Sequence, residues 1–253
     1  MTREDRMQDA LSKVPAVTLG FWVIKVLATT LGETGADLFT QQYKMGYLAG
    51  IALFLTPLVL LVAAQIRARR FHPLLYWGTI IASTTAGTAL ADFFDRDLGI
   101  GYTGGSAILL ACVIGSLAAW RLTLGTVSVA SVSEPKAEVF YWVTITFSQT
   151  LGTALGDWTA DETSLGYLGS AALFGGMLAV IALLYWRTAT SRVALFWAAF
   201  ILTRPLGATV GDFLDKPLAQ GGLDLGRDVA TLVLVLAIAL CLWRIPQRAG
   251  VAH

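Results

Sequence analysis

Histidine and cysteine are scarce in these 253 residues, two of each, and charge is thin: 14% Asp, Glu, Lys and Arg against 56% hydrophobic residues. Each shortage excludes something. The histidines are His72, beside Pro73, and the terminal His253. A histidine-rich metal site, paired histidines at haem spacing, an HExxH motif and a Ser-His pair are all missing, so the chain does not read as an enzyme. Cys112 and Cys241 both sit in apolar runs, where a small polarizable side chain packs well and a structural disulfide is not expected. A net charge of +1 offers nucleic acid no electrostatic footprint. Residues 1–15 carry Arg3, Glu4, Asp5, Arg6, Asp9 and Lys13 and have no apolar core before a small-residue cleavage site. They read as a cytosolic lead-in, not a signal peptide.

What the chain has in abundance is apolar length. Its mean hydropathy is +0.67, well beyond a water-soluble domain. Apolar runs of about twenty residues recur, and at about 1.5 Å per residue each can cross a hydrocarbon core about 30 Å thick. No soluble domain is left between them.

A repeat organises these runs. An aromatic-Trp pair is followed by Gly ten residues after the Trp and by Asp five residues after that Gly. The four copies are Phe21-Trp22, Gly32 and Asp37; Tyr76-Trp77, Gly87 and Asp92; Tyr141-Trp142, Gly152 and Asp157; and Phe196-Trp197, Gly207 and Asp212. Nine residues beyond each Asp stands a further glycine: Gly46, Gly101, Gly166 and Gly221. Successive copies are offset by 55, 65 and 55 residues, so the extra length falls in the small and polar stretch 123–136. Copies one and three share TLG and GYL, whereas copies two and four share Asp-Phe-x-Asp-basic at Asp92 to Arg96 and Asp212 to Lys216. That pattern is expected when a two-unit half is duplicated.

Each unit reads as a helix ending near its Asp, a short loop, and a second helix running to an arginine-bearing end. The expected fold is an all-α membrane protein of about eight transmembrane helices, over 16–38, 46–66, 73–94, 101–120, 137–158, 166–186, 193–214 and 223–243. An even number of crossings per unit makes the four repeats parallel, in two pseudo-symmetric halves. The resulting organisation is the lead-in 1–15, a first half 16–122, a cytoplasmic linker 123–136, a second half 137–244 and a tail 245–253. One side holds Arg3, Arg6, Lys13, Arg67, Arg69, Arg70, Arg121, Lys136, Arg187, Arg192, Arg244 and Arg248, against Lys44, Arg96, Lys216 and Arg227 on the other. By the positive-inside rule both termini are expected in the cytoplasm of a cell with the chain in its inner membrane.

Read back from each Asp in steps of four, one helix face carries Lys25, Thr29, Glu33, Asp37 in the first unit and Ile80, Thr84, Thr88, Asp92 in the second. The third gives Ile145, Gln149, Thr153, Asp157 and the fourth Phe200, Arg204, Ala208, Asp212. Lipid cannot satisfy such stripes, so they are expected to face one another or water. Around one axis, Glu33, Asp37, Asp92, Asp157 and Asp212 would be the cation-binding groups. Lys25, Thr29, Thr84, Thr88, Gln149, Thr153 and Arg204 would line a polar path. Gly32, Gly87, Gly152 and Gly207 would let helices approach closely. Oxygen ligands suit hard cations such as Mg²⁺, Mn²⁺ or Ca²⁺. The competing reading of the four Asp is plain loop capping at the membrane surface. Glu33 stands apart from it, because its sister positions are Thr88, Thr153 and Ala208. Lys25 and Arg204 are its candidate ion-pair partners, and the four Trp read as interfacial anchors.

The segments GETGAD, GTALAD, GTALGD and GATVGD, with the spacing around them, resemble a family of bacterial membrane-anchored proteins built from a repeat of unknown function. The resemblance covers nearly the whole chain and implies the repeat architecture and a bacterial origin, with no activity to carry over. The fourth unit departs from the pattern by lacking Tyr after Gly221 and by adding Arg204-Pro205. From the residues themselves the leading expectation is a secondary carrier or exporter of a small inorganic cation, with divalent metals as the favoured class. The alternatives are an organic-solute transporter or an ion channel, and then a membrane sensor or scaffold. The implied partners are the lipid bilayer and the cation, with a homodimer left open. No cofactor is called for beyond the transported ion.

Overall fold

The structure, a computed structural model, describes residues 11–251; the charged stretch before Leu11, with Arg3 and Arg6, and the terminal His253 lie outside the described residues. Among the described residues there are eight long helices: α1 (Leu19–Asp37), α2 (Tyr47–Arg67), α3 (Pro73–Asp92), α4 (Tyr102–Leu124), α5 (Pro135–Asp161), α6 (Gly166–Arg187), α7 (Arg192–Asp215) and α8 (Arg227–Arg244). The architecture is helical, as the apolar periodicity implies. Its one extended element is a two-stranded patch in which β1 (Leu11–Pro15) pairs antiparallel with β2 (Ala249–Val251). The lead-in and the tail therefore lie side by side instead of forming separate appendages.

Local chemistry sets the helix starts. Thr18 caps α1 by accepting the Phe21 amide at 3.3 Å, and Ser191 caps α7 through the Ala194 amide at 3.4 Å. Pro73 and Pro135 occupy the first turns of α3 and α5, where no amide donor is needed. Past Asp37 and Asp92 the chain widens into π-helical turns, Leu38–Gln42 and Phe93–Asp97. The repeated glycine nine residues after each Asp has a backbone reason: Gly46, Gly101, Gly166 and Gly221 have φ of 77°, 76°, 60° and 86°, a region that penalises any side chain. There the chain reverses from one helix of a unit into the next.

The odd-numbered helices form a closed ring in which α1 packs on α3, α3 on α5, α5 on α7 and α7 back on α1. The even-numbered helices sit outside, and each covers mainly the next unit's inner helix: α2 packs on α3, α4 on α5, α6 on α7, and α8 returns to α1. Four helices, α2, α4, α6 and α7, are long and apolar enough to cross a membrane. Only 11% of the apolar window is buried in α2 and in α4, against 61% in α7. The outer helices thus present Leu, Ile and Val outward, while α7 spends its apolar surface inside the ring. In α1, α3 and α5 the inward polar stripe dilutes the hydrophobic pattern.

Close approach within the ring rests on the repeated inner glycines. A Cβ added at Gly32 would run into Thr84, at Gly87 into Gln149, at Gly152 into Arg204, and at Gly207 into Thr29. Hydroxyls use that proximity. Thr84 Oγ1 donates to Ala28 O and Thr88 Oγ1 to Gly32 O, each at 3.2 Å, and Thr29 Oγ1 donates to Thr203 O at 3.1 Å. Small residues and interhelical hydrogen bonds are what can hold helices together where burying apolar surface adds little.

At the other end from the Asp residues the ring is closed by aromatic packing. Phe21, Tyr76, Tyr141 and Phe196 meet there, with the Tyr76 and Tyr141 hydroxyls 2.6 Å apart. Three of the four Trp positions correct the expectation of interfacial anchors, while Trp22 is half-buried against the same layer. Trp77, Trp142 and Trp197 are buried in this layer, where Trp77 Nε1 donates to Gln247 Oε1 and Trp197 Nε1 to Val127 O, both at 2.9 Å. An indole N–H needs a partner when buried, and the tail and the 123–136 stretch supply one each. The latter stretch is also pinned to β1, since Lys13 N donates to Val132 O at 2.7 Å and Ser12 Oγ to Val129 O at 2.6 Å.

Candidate functional site

The four polar stripes do meet at the ring axis, but what fills it is side chain. Thr29, Thr84, Thr88, Gln149, Thr153, Lys25 and Arg204 are all fully buried, so they line no water-filled path in this conformation. The long side chain of Arg204 accounts for this. Its Nη1 donates to Thr29 O at 3.2 Å, and its Nη2 reaches Glu33 Oε2 at 2.9 Å, Thr153 Oγ1 at 2.5 Å and the hydroxyl of Thr88. One guanidinium thereby joins all four inner helices. Lys25 lies deeper and has no carboxylate partner among the described residues: its Nζ is 3.4 Å from Thr203 Oγ1 and 4.2 Å from the centre of the Phe200 ring. Of the two partners expected for Glu33, the structure pairs it with Arg204.

Above this layer lies the Asp ring, and its charge pairing is twofold where the backbone is fourfold. Arg96 stands between Asp92 and Asp157, its Nε 3.4 Å from Asp92 Oδ1 and its Nη2 3.3 Å from Asp157 Oδ2. Lys216 occupies the equivalent place in the other half, with Nζ 3.1 Å from both Asp37 Oδ2 and Asp212 Oδ1. Each cation follows its own Asp by four residues, one helical turn, and reaches over to the Asp of the next unit. Units one and three carry Gln41 and Asp161 at that position, so they supply no cation of their own. Burial works against the charge on both cations. Asp92 and Asp157 around Arg96, and Asp212, Asp37 and Asp215 around Lys216, outweigh it and push both pKa values up.

Among the described residues Glu33, Asp37 and Asp212 form a carboxylate group, with one oxygen from each lying within 4.8 Å of the others and all three side chains buried. The predicted cation ligands therefore separate into this cluster and the Asp92–Asp157 pair. The cluster retains unused acceptors. Every hydrogen bond made by Glu33 falls on Oε2, and Asp212 meets Lys216 through Oδ1. Asp37 is more fully occupied, taking Gln41 Nε2 at 2.7 Å on Oδ1 and Arg227 Nη2 at 3.3 Å, besides Lys216, on Oδ2. Arg227 also binds Asp215 at 3.1 Å. Beside Lys216 and Arg227 opens a cavity of about 370 Å³, lined also by Gln41, Gln42, Asp215 and Gln220; none of the three clustered carboxylates lines it. In the sequence Arg96, Lys216 and Arg227 stand out only as flanking charges. The signal it held was the Asp-Phe-x-Asp-basic sequence shared by units two and four.

Asp95, on the π-helical turn, is half-buried with neither carboxylate oxygen hydrogen-bonded. Burial pushes its pKa up from 3.8 to about 6, with Arg96 opposing and Glu162 adding to the rise. Because the folded value lies above the unfolded one, its contribution to stability is complete below about pH 4 and is lost as pH rises through about 6. Asp95→Asn is expected to raise the melting temperature of the purified protein near neutral pH and to leave it unchanged near pH 4. An equal shift at both pH values in detergent melts would assign the effect to packing over Gly105, which Asp95 contacts, and not to charge.

The family described as Repeat of Unknown Function (DUF347) matches the chain four times, over 20–71, 75–126, 140–191 and 195–248. These boundaries each take in one inner helix and the outer helix that follows it. No curated protein and no solved structure matches the chain.

Proposed function

The chain belongs to that repeat family, and from this premise we propose that it is a multi-pass inner-membrane carrier of a small inorganic cation, of the hard divalent class. The observation behind this reading is the convergence of Glu33, Asp37 and Asp212 within 4.8 Å in a buried position. An all-oxygen set suits Mg²⁺, Mn²⁺ or Ca²⁺, and intramembrane carboxylates mark ion pathways more often than they serve packing. In this reading all eight helices cross the bilayer. The aromatic end, both termini and the 123–136 stretch face the cytoplasm, in line with the Lys and Arg asymmetry. The four helices of lower apolarity cross because their polar groups face the ring or lie at helix ends.

The filled axis favours a carrier over an open channel. Arg204 closes the middle of the ring and the aromatic layer closes the cytoplasmic end, so passage requires the inner helices to exchange one packing for another. Glu33 sits at the hinge of this logic because it binds Arg204 through one oxygen and can offer the other to a cation. Its proton and its cation would then compete, which is the coupling a proton-driven exchanger needs.

Glu33→Gln tests the reading. The amide oxygen of Gln can still accept from Arg204, so the variant is expected to remain folded and inserted. Reconstituted in proteoliposomes it is expected to lose Mn²⁺ transport, and in detergent to lose the thermal stabilisation that Mn²⁺ gives the wild type by mass action. Asp37→Asn should weaken both, while Asp224→Asn, on the loop before α8, should change neither. Wild-type transport and stabilisation in Glu33→Gln would reduce Glu33 to a structural partner of Arg204 and overturn the assignment.

A further inference from the structure

Lys216 holds the two carboxylates that a cation at the Glu33–Asp37–Asp212 cluster would need. Its ammonium lies 3.1 Å from Asp37 Oδ2 and 3.1 Å from Asp212 Oδ1. An ammonium is a compact, strongly hydrated point charge on a flexible stem, the nearest a side chain comes to a free monovalent ion. We infer that Lys216 is a resident substitute for the transported ion, occupying the site until a divalent cation displaces it into the cavity beside it. This rests on the cation-carrier reading and adds to it the identity of the competitor and the route of access.

Three observations support the exchange. The first is an anchored backbone beneath a long, flexible side chain. The Lys216 backbone lies just beyond the end of α7 and is tied down by its carbonyl, which accepts the Asp224 amide at 2.9 Å. The ammonium can therefore leave without moving a helix, and the cavity of about 370 Å³ into which it would swing is lined by Lys216 itself.

The second is an acceptor waiting at the same place. Asp215 lines that cavity, its side chain is 1% exposed, and its Oδ1 has no hydrogen-bond partner, while Oδ2 is held by Arg227. A buried carboxylate oxygen without a donor is costly, and a bound cation or the displaced ammonium would satisfy it.

The third is charge balance. With Lys216 withdrawn, the carboxylates of Glu33, Asp37, Asp212 and Asp215 face the guanidinium groups of Arg204 and Arg227. Once Glu33 has given up its proton, four negative charges against two positive leave the deficit that one divalent ion neutralises. With Lys216 in place the deficit is a single charge, too small to draw a divalent ion into a buried site. Arg96 holds the equivalent position over Asp92 and Asp157, but it has a further partner in the Tyr47 hydroxyl, to which it donates at 3.4 Å. It clamps its half of the ring, and Lys216 is the exchangeable member of the pair.

The test is a Mn²⁺ titration of thermal stability on the purified full chain, wild type against Lys216→Gln, with Na⁺ as the monovalent probe. A ligand's apparent affinity is reduced by the fraction of protein in the competent state. Removing the competitor is therefore expected to lower the half-saturating Mn²⁺ concentration by at least about tenfold, with no comparable gain for Na⁺. Lys44→Gln, an exposed lysine of the neighbouring loop, should leave the titration unchanged. In the wild type, where no folding question arises, Mn²⁺ should increase acylation of Lys216 by an amine-reactive ester, mapped by mass spectrometry. Identical half-saturation in Lys216→Gln, or Lys216 acylation indifferent to Mn²⁺, overturns this inference; the cation reading then stands if Glu33→Gln still abolishes binding. Absence of any Mn²⁺ response in both wild type and variant overturns the two together.

Discussion

Arg204→Met is expected to cost about 3–5 kcal/mol of folding stability, the range seen when one member of a buried ion pair is removed. The side chain is completely buried and bonds Glu33, Thr88, Thr153 and the carbonyl of Thr29. Methionine fills much of the volume but leaves Glu33 dry and held only by the Thr88 hydroxyl at 3.4 Å, so the carboxylate either bears an unpaired charge or must take up a proton. Adding Glu33→Gln to Arg204→Met removes the stranded charge, and most of the loss should return, since exchanging a whole buried pair for neutral groups is often close to neutral. Chemical denaturation in detergent of the two singles and the double variant supplies the comparison. A double variant no more stable than Arg204→Met would mean that Arg204 acts by filling space, not by charge.

The second large effect is expected at Gly207, where α7 crosses α1. A Cβ there meets the side chain of Thr29 and its backbone carbonyl carbon at 2.8 Å. A flexible side chain could turn aside, but backbone cannot, so the helices would have to separate. Separation would also stretch the Thr29 to Thr203 and Arg204 to Thr29 hydrogen bonds. Gly207→Ala should therefore cost at least about 2 kcal/mol, in the upper part of the range for overpacking, and Gly207→Val should yield little folded protein. Gly175→Ala, on α6 where a Cβ meets nothing within 4 Å, is the matched control. Equal tolerance of alanine at both glycines would refute the close crossing.

The spacing of Trp, Gly and Asp made much of this legible before any coordinates. Most helix boundaries fall within about four residues of those read from the sequence, because the cues are local: Pro73 and Pro135 at first turns, and a glycine at each reversal. Which helix covers which was not legible. α2 and α4 are apolar on nearly all sides, and a uniformly apolar helix carries no mark telling its own unit's inner helix from the next. β1 and β2 escaped notice because five and three residues are too few to show an alternation.

At the site, the depth and face of Glu33 followed from its four-residue spacing to Asp37. The same rule, continued forward from Asp92 and Asp212, lands on Arg96 and Lys216 and would have pointed to the clamping of the ring. What local spacing could not supply was the long-range half of each pair, Lys216 with Asp37 and Arg204 with Glu33, 179 and 171 residues apart. Those contacts exist only once the fourth unit has closed on the first.

That closure sets a schedule for biogenesis. α1 carries Lys25, Glu33 and Asp37 and leaves the ribosome well before its ring partner α7 and its cover α8. Chain growth from Asp37 to Arg227, at roughly 5–20 residues per second, takes on the order of ten to forty seconds. For most of that interval, once α3 is made, α1 has its α3 face matched and its α7 face bare. If the carrier reading holds and α1 crosses the membrane, it must wait at the translocon or at the membrane surface, or lean on an insertase that shelters polar helices, until α7 and α8 arrive.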